Sequence, residues 1–216
     1  KFVFLHSSTS MTPSPDSTTG LKRAQILQGA LEIFLRQGYE GTSMDRVAAA
    51  AGVSKITIYK HFADKEGLFT ALIEQVTAQR FNQVFGTISL DDQPAQVLRQ
   101  IAQKFLDLVA VDDEYVAFMR LIIGESGRFP ALAQLFIQSL PQKVWRSLVH
   151  YFDSHPDLTI AHPDAVARIF TGTLLSYAMT QRIMHGQHIA PMNPELLIDC
   201  LIGLILAPQS IPPEDL

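Results

Sequence analysis

The stretch from Thr42 to Phe62 constrains the fold more than any other, because it places two short helical segments on either side of one glycine corner. Thr42 is placed to cap the first segment, with Asp45 three residues on; this satisfies open backbone N–H groups and puts a carboxylate in the positive first turn. Met44, Val47, Ala48 and Ala51 form an inward stripe, Gly52 supplies a left-handed residue to end the helix, and Ser54 is placed to cap a second helix ending near Phe62. Ala48, Gly52 and Ile58 stand where steeply crossing helices need a small side chain, a corner and a branched filler. The outward face of the second helix carries Ser54, Lys55, Thr57, Tyr59, Lys60 and His61. Donors and cations on a helix suit a phosphate-lined major groove, about 12 Å wide. A solvated amphipathic hairpin fits the same pattern, so spacing alone leaves both readings open.

At 216 residues and 47% hydrophobic, the chain can bury a real core and divide into two domains. The net charge of −4 is unevenly spread: 9 Lys+Arg stand against 7 Asp+Glu through Phe85, and 8 against 14 beyond it, giving +2 and −6. An excess of +2 calls for a local cluster of phosphate contacts, doubled by a dimer. The one cysteine, Cys200, excludes an internal disulfide and reads as a core filler in a reducing cytoplasm. Leu196 to Ala207, the most hydrophobic run, is shorter than the roughly 20 residues of a membrane span and contains Asp199. Phe2 to Leu5 falls short of the about 7–15 apolar residues of a signal core. Met11 stands as a candidate natural start, with the decapeptide before it an addition.

Read in order, residues 1–20 form a Ser/Thr/Pro-rich arm without a basic residue between Phe2 and Leu21. Leu21 to Gln37 carries the amphipathic stripe Ile26, Leu27, Ala30, Leu31, Phe34 and Leu35, ended by Gly38. Asp64 caps a further helix with Leu68, Phe69, Leu72, Ile73 and Val76 inward. After a loop from Thr87 to Pro94, every periodic segment is again helical: Pro94 to Val111, one capped by Asp112 or Asp113, Leu132 to Phe152 with a kink or break at Pro141, Pro163 to His185, and Pro194 to Ala207. No strand pattern occurs. The fold class is all-α, with about nine helices: a three-helix helix-turn-helix domain at 21–66, a helical effector and dimerisation domain at 67–208, and a tail at 209–216.

The run Gly38-Tyr39, Thr42-Ser43-Met44, Ala51-Gly52-Val53-Ser54-Lys55, Thr57-Ile58-Tyr59, His61-Phe62 and Lys65-Glu66-Gly67-Leu68-Phe69 closely resembles the amino-terminal domain of TetR-family transcriptional regulators. The stretch Arg120 to Pro130 resembles the effector domain of a large subgroup of that family, over roughly Phe118 to Gly186. The resemblance implies phosphate contacts at Ser43, Thr57, Tyr59, His61 and Lys65, and base-edge candidates at Lys55, Ile56, Thr57 and Lys60. Thr42 and Ser54 complete the DNA-binding set. Tyr59 and His61 also fit a reading as core residues. The helix after Asp64 is implied to link the two domains and to carry ligand-driven tilt to the DNA-binding head.

Bundle cores lined by aromatics are usual places for small molecules, and Phe105, Tyr115, Phe118, Met119, Trp145, Tyr177 and Arg182 are the inward candidates for an effector. Aromatics at helical spacing are ordinarily core. Ile169, Phe170, Leu174, Leu197, Leu201, Leu204 and Ile205, with the small residues Gly172, Thr173, Ser176 and Gly203, are read as a homodimer interface of two helices per subunit. An enzyme is the competing class. Gly124 to Arg128 departs from a nucleophile elbow because Arg128 stands where glycine is required and no strand precedes it. His185 with His188, and His150 with His155 and Asp153, lack the further ligands of a metal site. The TetR-family resemblance then implies a repressor, expected in the cytoplasm and without metal, cofactor or membrane association. It binds a palindromic double-stranded operator as a homodimer and is released by a small, hydrophobic effector. Activation by a helical small-molecule or metal sensor stands as the alternative.

Overall fold

The computed structural model describes residues 18–90, 92–155 and 158–207. Most of the expected arm and the whole tail at 209–216 lie outside them. Among the described residues there are ten α-helices and no strand: α1 Thr18–Gly41, α2 Met44–Ala50, α3 Lys55–His61, α4 Lys65–Phe85, α5 Pro94–Val111, α6 Asp113–Glu125, α7 Pro130–Ser139, α8 Pro141–Asp153, α9 Pro163–Ala178 and α10 Pro194–Leu206. The break expected at Pro141 falls at Leu140, at φ −129° and ψ −68°, and divides the expected helix into α7 and α8. Thr18–Gly20, assigned to the arm from the sequence, already belong to the first turn of α1. The expected helix from Pro163 to His185 gives way after Ala178 to a π-helical turn, Met179–Ile183, and His185 adopts a left-handed conformation at φ 58°.

The chain divides into two compact units between Phe69 and Thr70, inside α4. In the first, Ile26, Leu27, Ala30, Phe34, Val47, Ile58 and Leu68 are fully buried. Phe34 and Tyr39 both pack edge-on against Phe69, at 4.6 and 5.0 Å between ring centres. The backbones of α1 and the end of α2 approach closely at Gly29: a Cβ there would lie 2.7 Å from the Ala51 nitrogen. The corner glycine, Gly52, has φ +61°, where a side chain is strained.

Gly38 does not end α1 outright. It kinks it at φ 73° and lets the chain continue to Gly41. The kink moves the cap of α2 by one residue: Ser43, not Thr42, accepts from the Arg46 N–H, and Thr42 is turned inward with its hydroxyl donating to the Gly38 carbonyl at 2.8 Å. Ser54 caps α3 as expected, accepting from the Thr57 N–H at 3.1 Å. Asp64 likewise accepts from the Gly67 N–H at 2.7 Å, at the start of α4.

The second unit is built around α5, α9 and α10. Val97, Leu98, Ala102, Ala167, Phe170 and Ile198 lie at its centre, joined by Val84 and Phe85 from the end of α4 and by Leu148, Tyr151 and Phe152 from α8. Arg99 on α5 pairs with Glu195, at 3.4 Å, and with Asp199 on α10. Arg120 on α6 holds the π-helical turn by donating to the carbonyls of Ile183, at 3.1 Å, and Arg182, at 2.8 Å.

Candidate nucleic-acid interface and effector cavity

The outer surface of α3 carries an unusual residue set for solvent. Ile56 is 70% exposed and Tyr59 48% exposed, with Lys55, Lys60 and Ser54 also at the surface, while Thr57 and His61 are half-buried. Ile58, between them, is fully buried and anchors the helix. Tyr59 is thus an outward residue rather than a core one. Ser54 and Thr57 share a hydroxyl contact of 2.8 Å at the start of the helix. Ser43 is exposed at the N-cap of α2.

The cations of this face differ in how they are engaged. Lys55 pairs with Asp45 on α2 at 2.8 Å, and this hydrogen-bonded carboxylate raises the ammonium pKa. Both groups are exposed, so the pair is weak and phosphate can compete for the lysine. Lys60 has no ion-pair partner among the described residues. Two expected contacts are redirected by the fold. Thr42 is 3% exposed and cannot reach DNA, because the Gly38 kink turns it into the unit. Lys65 donates to the carbonyls of Tyr39, at 3.0 Å, and Glu40, at 3.2 Å, and lies over the Tyr39 ring, so its charge neutralises the end of α1. Arg46 was missed by the sequence reading. It is exposed on α2, held by Gln37 and by the Gly41 carbonyl at 3.2 Å, and the only signal for it was a cation one turn from Ser43.

The second unit holds a partly open cavity of about 200 Å³. Of the effector candidates, Phe105, Tyr115, Met119 and Trp145 line it. Three other candidates do not. Phe118 is fully buried core, Tyr177 faces a separate depression with Ile169 and Thr173, and Arg182 is tied to Asp113 at 2.7 Å and to the Val109 carbonyl. In their place the wall gains Phe81, Val84 and Phe85 from α4, Phe136 from α7, and Phe170 and Leu174 from α9. The last two were expected at a dimer interface; at 0% and 3% exposure they face inward instead. The missed α4 residues did carry a signal, since Phe81 and Phe85 continue that helix at i and i+4.

Two arginines border the cavity. Arg80 on α4 is 8% exposed, pairs with Asp112 at 2.7 Å, and lies 5.3 Å from the Tyr115 ring centre. Asp112 also caps α6 by accepting from the Tyr115 N–H at 2.8 Å. Burial, with a smaller effect of Asp112 against the opposing one of Arg80, raises the Tyr115 phenol to about 12. Arg168 stacks over Trp145 at 4.0 Å and pairs with Asp164 at 2.9 Å, and the Trp145 indole donates to Thr171 at 3.0 Å.

Outside the cavity, Ile169 on α9 and Leu204 on α10 are 58% and 76% exposed, and Leu197 is half-buried. Leu201 and Ile205, expected on the same interface, are 4% and 5% exposed and belong to the unit's own core. Cys200, expected in the core, is exposed in this groove. Nothing lies within 4 Å of the position a Cβ would take at Gly172 or Gly203. Among the described residues no group of three or more His, Cys, Asp or Glu is placed to hold a metal, and no helix is long and apolar enough to cross a membrane.

Residues 26–72 match the family described as bacterial regulatory proteins, tetR family, and residues 96–207, more than half of the chain, match the carboxyl-terminal domain of AefR-like transcriptional repressors. The chain belongs to the TetR family. It is a DNA-binding transcriptional regulator. Among curated relatives, the activator FasR of Mycolicibacterium smegmatis is 31% identical over 93 residues, 43% of this chain and 42% of FasR. The regulator RutR of Escherichia coli is 24% identical over 68% of this chain and 85% of its own. A TetR-family regulator from Mesorhizobium loti superposes with a TM-score of 0.74 at 27% identity, covering 89% of this chain and 98% of that one. The flavonoid-responsive regulator FrrA superposes at 0.73 with 30% identity, covering 87% and 96%.

Proposed function

We propose that this TetR-family regulator is a homodimeric repressor whose two α3 helices read a palindromic operator and whose affinity is lowered by a small, apolar effector in the cavity. The observation that carries the reading is the outward face of α3. Ile56 offers an apolar surface to a thymine methyl, while Tyr59, Lys60 and the released Lys55 offer donors to bases and phosphates. Ser43 and His61 flank that face as further phosphate contacts. A dimer with heads about 34–36 Å apart meets successive major grooves on one side of B-DNA, which compensates for the few charges on each head. Acting on DNA, the protein works in the cytoplasm.

Ile169, Leu197 and Leu204 supply the apolar surface for a second copy, with Gly172 and Gly203 leaving room for close approach. The AefR-like match supports repression, and the name of FrrA, a flavonoid-responsive regulator, supports a small-molecule effector. Helix α4 carries the coupling: its first turn holds Lys65 against the end of α1, and its last turns supply Arg80, Phe81, Val84 and Phe85 to the cavity. An effector that binds one setting of this helix better than another needs to supply only about 1–3 kcal/mol. The test is selection of bound fragments from genomic DNA, followed by gel shifts at fixed salt. Tyr59→Phe and Lys60→Ala are expected to weaken binding while helicity and dimer mass stay unchanged; wild-type affinity in both would overturn the assignment.

A further inference from the structure

Resting on the reading of the cavity as the effector site, its size, lining and charge balance narrow the effector to one chemical class. A dry apolar cavity of about 150 Å³ accommodates benzene. At about 200 Å³ the space here takes one six-membered ring with a short substituent. The lining favours a ring over an acyl chain. Phe81 and Phe85 stack at 4.7 Å between centres on one side, and Phe105, Phe136 and Trp145 close the others from three different helices, offering both faces and edges to a bound ring.

The charges decide the next point. Arg80 reaches the wall already paired with Asp112, and Arg168 already paired with Asp164. An anionic ligand would have to displace Asp112 or share Arg80 with it, placing two negative charges together where the dielectric is low. A cationic ligand would meet two guanidinium groups. An uncharged ligand disturbs neither pair. One polar demand remains: the Tyr115 phenol on the same wall is a neutral donor. It calls for an oxygen on the ligand.

We propose that the effector is an uncharged, one-ring aromatic compound bearing a short carbonyl or ether substituent, its ring between Trp145 and the Phe81–Phe85 stack and its oxygen toward the Tyr115 phenol. Trp145 is the one tryptophan of the chain, so its fluorescence reports the cavity directly. Acetophenone, ethylbenzene, benzoate, cyclohexyl methyl ketone and the three-ring flavonoid naringenin are titrated into the full-length protein by calorimetry and by Trp145 emission. Acetophenone is expected to bind at least about tenfold tighter than the other four, the margin of one good hydrogen bond or one avoided charge. Val144→Phe, which fills the cavity, is expected to abolish binding. Equal or tighter binding of benzoate, naringenin or the cyclohexyl ketone would overturn the class, and parity of ethylbenzene with acetophenone on the wild-type protein would overturn the oxygen contact whether or not the variant folds. Gel shifts run alongside separate the two readings: acetophenone bound with the operator retained supports the ligand class and sinks release, whereas no binding of any uncharged one-ring probe overturns the class itself.

Discussion

Tyr115 is held as a neutral phenol by its surroundings, and that has a consequence for stability. Its folded pKa, about 12, lies above the ordinary tyrosine value of about 10, because burial disfavours the phenolate. The folded chain therefore keeps this proton where the unfolded chain has lost it. Stability from this source is complete below pH about 10 and is lost as pH rises through about 12, by roughly 3 kcal/mol at most. Tyr151, 2% exposed and also raised to about 12 chiefly by burial, adds to the same alkaline loss. Thermal melts from pH 9 to 12 should show the fall, and Tyr115→Phe should flatten it. Asp112 is a second single-residue determinant. Asp112→Ala removes the partner of Arg80 and the cap of α6 together, and is expected to cost about 3–5 kcal/mol in denaturant unfolding, most of it from the unpaired buried cation. At this scale the sequence was legible where one residue alone could do the job, as with Ser54 and Asp64. It misled where two neighbours of the same chemistry competed: Thr42 and Ser43 both carry hydroxyls, and the Gly38 kink decided between them.

Helices were legible as elements because their stripes repeat locally, whereas the contacts between helices depend on residues far apart in sequence. The corner at Gly52 declared itself, since only a turn needs that residue there. The approach of Gly29 to Ala51 did not, because both ends look ordinary within their own helices. Gly29→Ala would drive a methyl into the Ala51 backbone and is expected to destabilise the first unit by roughly 1–3 kcal/mol, read as a lower melting temperature with α3 chemistry unchanged. For α3 itself, Lys60→Ala should reduce the slope of log affinity against log salt by about 1 per half-site, hence about 2 for a dimer, with little change in sequence preference. A change in preference without a change in slope would make Lys60 a base reader and not a phosphate contact. The cavity shows the limit of periodicity. A stripe tells which face is inward but not whether that face meets packed side chains or open space, so Phe118 and Met119, adjacent on α6, ended as core and lining respectively.

In the whole molecule, the proposed dimer gives the exposed apolar residues of α9 and α10 a part in DNA binding. Leu204→Glu places a charge on a side chain that is 76% exposed in the single chain, so the monomer fold is expected to survive while sedimentation shifts to monomer and operator affinity falls steeply. A dimer of normal mass in that variant would place the contact elsewhere. The sequence reading counted too many outward residues on these two helices, because Phe170, Leu174, Leu201 and Ile205 are needed to close the unit's own core. The few outward residues that remain carry a further consequence. If Ile169, Leu197 and Leu204 are covered only by a second copy, folding and association become linked equilibria, and the melting temperature rises with protein concentration. Dilution would then act as denaturant does, and low cellular copy number would itself limit how much of the repressor is competent to hold its operator.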